Sequence, residues 1–544
     1  MKSKYIVAIL LFLLFAQGLF IASVKSRTID EITFHLNGGY KYLTTGNWEI
    51  VINPPLIPTL AALPLLFVKD KGKLNNFDRG TQLEYITGSI MPFPKGFLLA
   101  SRLVPLIFMT LLGYLVFLWA KELYGIKAGL FALFLIAFSP NILAFGSLVT
   151  ADIGGTLFTV LSMYTFWRYV NNPTKKGLLM AGLCFGLAQI AKLLSIFLIP
   201  TFILYCIIIY FFKDFKADFF FDIKKHNLKK LSELVFSLLV IFTIGLFIIN
   251  LMYLFKGTFT PLSHYNKEEF MSSTFNALYE NKLINWMPIP LPKQYVLGHD
   301  VAQWQAKDEV RGYFFLGKIG EKPSSYYITH ILIKTPIPIF ILLILGFLYF
   351  RRISISEIYL LIYMFIILFM LSFFSKTAVG YRHAISIYPL LFILSSRILK
   401  QSVPKNKIVA GIILLSAIWY LIGSLFVFPH HLAYFNEFIG GPKNGYKYTI
   451  DSNLDWEQDL DLVRNYISKM NEPVAVDPGC QPALGKILVP ANSLQFQKWI
   501  CYQWLKQNFE PVDYIGYSWL VYDVQGFWSK TENGYTFTKS RKTI

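Results

Sequence analysis

Apolar runs long enough to cross about 30 Å of hydrocarbon recur from one end of this 544-residue chain to the other, and nothing else constrains its fold as tightly. Inside lipid the backbone must satisfy its own hydrogen bonds, so runs of this kind predict a bundle of membrane helices. They fall at about 5–24, 97–120, 128–146, 153–167, 178–191, 193–212, 234–254, 326–349, 358–374, 384–398 and 408–428, which predicts about 11 transmembrane helices. Composition agrees, with 55% hydrophobic and only 15% charged residues, against about 25% charged in a soluble domain. The stretch 56–68 is shorter and holds Pro58 and Pro64, so it reads as an interfacial or re-entrant helix. The run at 5–24 exceeds the core of a usual signal peptide and predicts a retained first helix, with cleavage after residues 22–24 as the alternative.

Charge gives the orientation. If the N-terminus is cytoplasmic, the inner segments hold 19 Lys or Arg against six acids, most of the formal net charge of +19. The basic charge is then an orientation signal facing anionic lipid, and no nucleic-acid partner is implied. Three long segments fall outside: 25–96, 255–325 and 429–544. The expected architecture is an all-α polytopic membrane domain over 1–428, followed by a small extracytoplasmic α/β domain over 429–544. In that tail Tyr514–Tyr522 reads as strand and 455–469 as helix. No internal repeat is visible, which weakens an inverted-repeat transporter. Cys480 and Cys501 are either bonded or free, since 21 residues of separation say nothing about geometry. The adjacent His430 and His431 point in divergent directions, a poor start for a metal site. The chain has no GxxxxGK[ST], HExxH or GxSxG motif.

Charge held against hydrocarbon is costly and usually functional, so ionisable residues at the outer membrane edge carry the most information. They are Asp30, Glu31, Arg102, Asp152, Lys192, Lys334, Arg382 and His383. A carboxylate can take a hydroxyl proton while Arg and Lys hold a phosphoryl leaving group. Each residue also has a structural alternative. Asp30-Glu31 can simply end a helix, Arg102 and Lys192 can snorkel to headgroups, Asp152 can cap the helix that follows, and Lys334 can mark a kinked helix end.

Thr28-Ile-Asp30-Glu31, followed by Gly46-Asn-Trp and Asn53-Pro54-Pro55-Leu56, resembles the first exterior loop of the protein O-mannosyltransferase and aminoarabinose-transferase superfamily of membrane glycosyltransferases. Further segments agree, in order: Ala100-Ser-Arg102, Ser139-Pro140 through Asp152, Gly186 to Lys192, Ile331 to Pro338, and Gly380-Tyr-Arg382-His383. Tyr434 to Asp459 is similar to a long stretch of prokaryotic, lipid-carrier-dependent members. The resemblance implies a GT-C type fold with its site at the outer face. It implies a polyprenyl- or dolichyl-phosphate sugar donor, a protein, lipid or glycan acceptor, and a divalent-metal requirement that is absent or variable. Asp30 matches the family's catalytic acid and Glu31 its partner. Lys192, Lys334, Arg382 and His383 are the expected phosphate-holding residues, with Arg102 and Asp152 supporting the pocket. Where relatives often place His or Lys before Pro-Pro-Leu, this chain has Asn53. It lacks both the large exterior insertion of eukaryotic protein mannosyltransferases and the WWD-type motif of oligosaccharyltransferases. The expectation is therefore inverting transfer of a single sugar at the plasma membrane. A lipid-sugar flippase or secondary transporter, and an envelope scaffold, are the competing classes.

Overall fold

The computed structural model describes residues 2–49, 52–68, 82–87, 93–212, 226–309, 312–350, 352–400, 406–531 and 534–539. Of the inner segments, 213–225 and 401–405 lie outside the described residues, as do 69–81 and 88–92 of the first exterior segment.

Each expected apolar run is helical, but not every one is a simple span. Six helices are long and apolar enough to cross a membrane: Ser3–Val24, Lys95–Tyr124, Leu193–Phe212, Lys229–Met252, Ile355–Phe373 and Lys407–Val427. Two more runs are broken pairs, Ile126–Ala137 with Pro140–Gly146 bent by 60°, and Tyr326–Lys334 with Ile337–Tyr349 bent by 99°. The chain is thus a multi-pass membrane protein with six such spans among the described residues, or eight if each bent pair counts once. The other three expected spans are Ala151–Asn171, which carries many polar side chains, the 17-residue Lys175–Ala191, and Ile387–Ser395 between two 3₁₀ turns. Protein surrounds Ala151–Asn171 and Ile387–Ser395 along almost their whole length, so neither needs the continuous apolar surface that lipid demands. The prolines of 56–68 give a short helix, Leu56–Ala62, continuing as the 3₁₀ turn Leu63–Phe67. It buries Ile57, Ala61 and Leu65 and exposes Leu63, Leu66 and Phe67.

The exterior segment after Met252 forms the helices Ser273–Glu280 and Lys293–Lys307, then an antiparallel hairpin of β1 (Tyr313–Phe315) and β2 (Lys318–Gly320). In the tail, β3 (Val474–Val476), β4 (Gly485–Pro490), β5 (Asp513–Ile515) and β6 (Trp519–Val524) make a mixed sheet in the order β3-β4-β6-β5. β4 runs antiparallel to β6 with Ile487 opposite Tyr522, and β3 runs parallel to β4. Side chains alternate across the sheet. Ile487, Val489, Leu520 and Tyr522 fill one core, while Leu488, Trp519 and Val521 pack on Leu460 and Val463 of the helix Leu460–Ile467. A last hairpin joins β7 (Gly526–Thr531) to β8 (Gly534–Lys539).

Two local expectations change. The run Tyr514–Tyr522 is two strands, because Gly516 and Tyr517 both take a left-handed φ of 64° and reverse the chain. The helix begins only at Leu460, because the charges at 455–459 are drawn into buried contacts described below. Cys480 and Cys501 are disulfide-bonded.

Candidate active site

Where the helices meet the exterior segments they enclose a cavity of about 1160 Å³. Its walls differ in chemistry. One side is apolar, formed by Leu193, Leu194, Ile196 and Phe197 facing Met370, Leu371 and Phe374. Beside it stand the ionisable residues Asp30, His35, Asp152, Lys192, Arg382 and His383, and the tail closes the cavity with Asp451, Asp455, Trp456 and Glu457.

Asp30 comes to the cavity through an unusual turn. It precedes a π-helical turn, Glu31–Leu36, that runs straight into the helix Asn37–Thr45. Such a turn brings residues five apart onto one face, so Asp30 and His35 both line the cavity while Glu31 points away. Asp30 accepts a hydrogen bond from Arg382 Nη1 at 3.0 Å and remains 17% exposed. Burial holds the His35 imidazole below its ordinary value, despite the carboxylates of Asp30 and Asp152 nearby, and its Nδ1 has no hydrogen-bond partner among the described residues.

Asp152 and Lys192 form the second half of this charged row. Thr150 Oγ1 accepts from Asp152 N at 3.3 Å and caps the helix, so the Asp152 carboxylate is free to take Lys192 Nζ at 2.7 Å. Lys192 sits in the extended break between Lys175–Ala191 and the 3₁₀ turn Leu193–Phe197, and its stem crosses Gly155, where a Cβ would lie 2.7 Å from that of Lys192. Lys192 Nζ also reaches the carbonyl of Arg382 at 3.4 Å. Lys192 Nζ thus lies beside the Arg382 backbone, with Asp152 holding Lys192 and Asp30 holding Arg382. The Arg382 guanidinium lies 4.5 Å from the centroid of the Trp456 ring.

A frame behind Arg382 holds it in place. Tyr381 donates its backbone N–H to Asn453 Oδ1 at 2.9 Å and its hydroxyl to Asn141 Oδ1 at 2.6 Å. Gly380 has a φ of 76°, and a Cβ there would meet Ser452 Oγ at 2.4 Å.

Three residues expected in the site itself stand elsewhere or act differently. Glu31 is fully buried and does not line the cavity. Its carboxylate accepts from Arg102 Nε and Nη2 at 2.8 and 2.6 Å and from the N–H groups of Val149 and Thr28, each at 2.8 Å. Burial opposes its ionisation, but the Arg102 guanidinium and these N–H donors outweigh that and hold the carboxyl below its usual range. Arg102 also donates to the carbonyls of Ala22, Lys25 and Ser26, so the pair clamps the chain as it leaves the first helix. Lys334 does not line the cavity either. It ends the helix Tyr326–Lys334, is fully buried, and donates to the carbonyls of Leu432 and Asn453 at 2.8 and 2.6 Å. Lys334 therefore bears on the site through Asn453, Asn141 and Tyr381. His383 does line the cavity, but burial, with Lys192 and Arg382 beside it, pushes its imidazole down to about 3, so it is a neutral group and not a cation at neutral pH.

The residues not singled out from the sequence are His35, Asp455 and Trp456, with the pairs Lys25–Asp459 and Arg27–Glu457 that anchor the tail. His35 lies five residues beyond Asp30, but only a π-turn makes that spacing meaningful. Lys25 Nζ also contacts His430 Nδ1 at 2.6 Å, so His430 belongs to an ion-pair cluster. Among the described residues no group of three or more His, Cys, Asp and Glu side chains could hold a metal ion. Asp30 and Asp152 are each turned onto a cation, an arrangement that does not fit a divalent ion.

Comparison with known proteins gives a partial match. Residues 93–217 match the family model described as dolichyl-phosphate-mannose-protein mannosyltransferase, a segment that holds Arg102, Asp152 and Lys192. No curated protein matches the chain. Among solved structures, ArnT from Cupriavidus metallidurans bound to undecaprenyl phosphate aligns at 11% identity over 95% of this chain and 97% of that one, with a TM-score of 0.47. The archaeal oligosaccharyltransferase AglB from Archaeoglobus fulgidus, in complex with an inhibitory peptide and a dolichol-phosphate, aligns at 12% identity over 100% and 75%, also at 0.47. The S. cerevisiae protein O-mannosyltransferase Pmt1-Pmt2 complex bound to the sugar donor aligns at 18% identity over 58% and 39%, at 0.37. Over residues 93–217, then, this chain is similar to the superfamily that its exterior-loop motifs resemble.

Proposed function

We propose that this protein is an inverting membrane glycosyltransferase that moves one sugar from a polyprenyl- or dolichyl-phosphate carrier to an acceptor hydroxyl at the outer membrane face. In this reading the chain crosses the membrane eleven times and carries its tail outside. One observation carries the proposal: a single cavity joins an apolar wall, suited to an isoprenoid chain, to two cations that are each paired with a carboxylate.

The chemistry follows from that juxtaposition. The lipid phosphate competes with Asp30 for Arg382 and with Asp152 for Lys192, and planar guanidinium donors suit phosphate oxygens. As Arg382 turns to the phosphate, the Asp30 carboxylate is released from its ion pair and is free to meet the acceptor hydroxyl. Asp30 then takes the proton of the acceptor hydroxyl while the acceptor oxygen attacks the anomeric carbon. The bond from that carbon to the phosphate oxygen breaks, and its electron pair leaves on the lipid phosphate, where Arg382 and Lys192 stabilise the charge. Attack opposite the leaving group inverts the anomeric centre.

The test is release of free lipid phosphate by the purified full-length protein from polyprenyl-phosphate sugars. Asp30→Asn is expected to lower the rate by about 10²–10⁴-fold, the range of general-base catalysis, while staying folded. Wild-type rates in folded Asp30→Asn would sink the assignment. Uptake of a lipid-linked sugar without covalent transfer would favour a flippase or secondary transporter, and binding of envelope partners with neither activity would favour a scaffold.

A further inference from the structure

The carboxylates that line the cavity are not equivalent. Asp30 faces Arg382, Asp152 faces Lys192, and Glu457 reaches Arg27. Among the described residues, Asp455 has no cation within ion-pair distance. Its carboxylate accepts only two long hydrogen bonds from backbone N–H groups, Asn492 at 3.3 Å and Glu457 at 3.4 Å, although the residue is 1% exposed. Burial pushes this carboxyl up to about 7, and the neighbouring charges of Glu457 and Asp459 add to the effect against the two N–H donors. An unpaired carboxyl in such a place costs stability, and an asparagine would fit the same backbone donors at lower cost. Strain retained in a cavity wall points to use.

The surroundings indicate the use. Asp455 lines the same cavity as Asp30 and precedes Trp456, whose ring lies against the Arg382 that faces Asp30. The same cavity is lined by Tyr313, Phe314 and Phe496 and by the amides of Gln497 and of Asn492, whose side chain donates to the Asp455 carbonyl at 3.0 Å. Aromatic faces, amides and a carboxyl without a cation suit neither a phosphate nor an isoprenoid chain. They suit a sugar, which sets C–H faces against aromatic rings and hydroxyls against carboxyl and amide oxygens.

We infer that Asp455 holds the acceptor, receiving a hydrogen bond from a hydroxyl of a carbohydrate bound between the tail and Asp30. The inference rests on the donor chemistry proposed above and adds the class of acceptor and the residue that binds it.

The experiment uses full-length protein in detergent with polyprenyl-phosphate sugars, and reads lipid-phosphate release as methyl glycosides, or separately a Ser/Thr peptide, are titrated in. Methyl glycosides are expected to stimulate release saturably. Asp455→Asn should lower kcat/KM for the glycoside at least tenfold, mainly through KM, and Asp455→Glu should recover part of it. Thermal stabilisation by undecaprenyl phosphate should persist in Asp455→Asn. That variant should also unfold at an equal or higher temperature than wild type at pH 8, where a merely structural aspartate would leave a less stable protein. An unchanged KM for the glycoside overturns the inference, and so does stimulation by the peptide alone. Loss of undecaprenyl phosphate binding in Asp455→Asn would equally refute it. If the wild type releases no lipid phosphate under any condition, the donor reading itself fails, an outcome distinct from these.

Discussion

Adjacent in sequence and alike in chemistry, Asp30 and Glu31 have opposite surroundings, and one π-turn separates them. Asp30 keeps access to the cavity, whereas Glu31 closes a buried clamp with Arg102. Removing one partner of a buried pair leaves the other charge uncompensated, at a cost of about 3–5 kcal/mol. Glu31→Gln is therefore expected to lower the unfolding temperature in detergent sharply, while Asp30→Asn stays close to wild type. The clamp also sets a pH dependence. Glu31 is held below its ordinary 4.5, and Asp459 is lowered to about 2, burial working against that and Lys25 and His430 overcoming it. Both contributions are complete above the unfolded-state values and are lost as pH falls through the folded ones. Stability should thus fall between about pH 4 and pH 2, more shallowly in Glu31→Gln, and thermal scans across that range check it. The sequence showed the acidic pair but not which member faces the cavity. That depends on an i to i+5 turn and on Arg102 and Val149, 71 and 118 residues away from Glu31.

At the scale of elements, hydropathy located the helices because lipid demands continuous apolar surface, but it was silent about breaks. Hydropathy ran one helix over 326–349, while the prolines after Lys334 offered a kinked helix end there, and the chain does bend by 99° so that Lys334 reaches the carbonyls of Leu432 and Asn453. The helical pattern over 455–469 failed at its start for a related reason: Glu457 and Asp459 are drawn to Arg27 and Lys25, more than 400 residues away. Charge that seeks a distant partner leaves no periodic trace. The loop before Arg382 gives an element-scale test, since Gly380 combines a positive φ with close approach to Ser452. Gly380→Ala should displace Tyr381 and Arg382 and reduce lipid-phosphate release at least tenfold. It should weaken undecaprenyl phosphate binding in parallel, because the displaced group is the phosphate's expected partner. Normal lipid binding with lost turnover would instead locate the effect away from Arg382.

Over the whole molecule, orientation links the cavity to its proposed substrates, and the charge pattern that suggested it is partly internal. Arg397 and Glu357, both counted among inner-face charges, form a fully buried ion pair at 2.6 Å. Lys25 and Arg27, just past the C-terminal end of the first helix, are neutralised by Asp459 and Glu457 of the tail. The tail is therefore bound to the end of the membrane bundle that holds the cavity, and both must face the same compartment. The cysteines make this measurable. Cys480 and Cys501 are bonded in the tail, while Cys184 and Cys206 are free and buried among the helices. In intact cells, a membrane-impermeant reductant followed by an impermeant maleimide should label two cysteines, both lost in a Cys480→Ser/Cys501→Ser variant. Such labelling would put the cavity on the outer face, in a compartment where disulfides persist. Labelling only after permeabilisation would reverse the topology and turn the cavity toward the cytoplasm, where an outer-face acceptor could not reach Asp30.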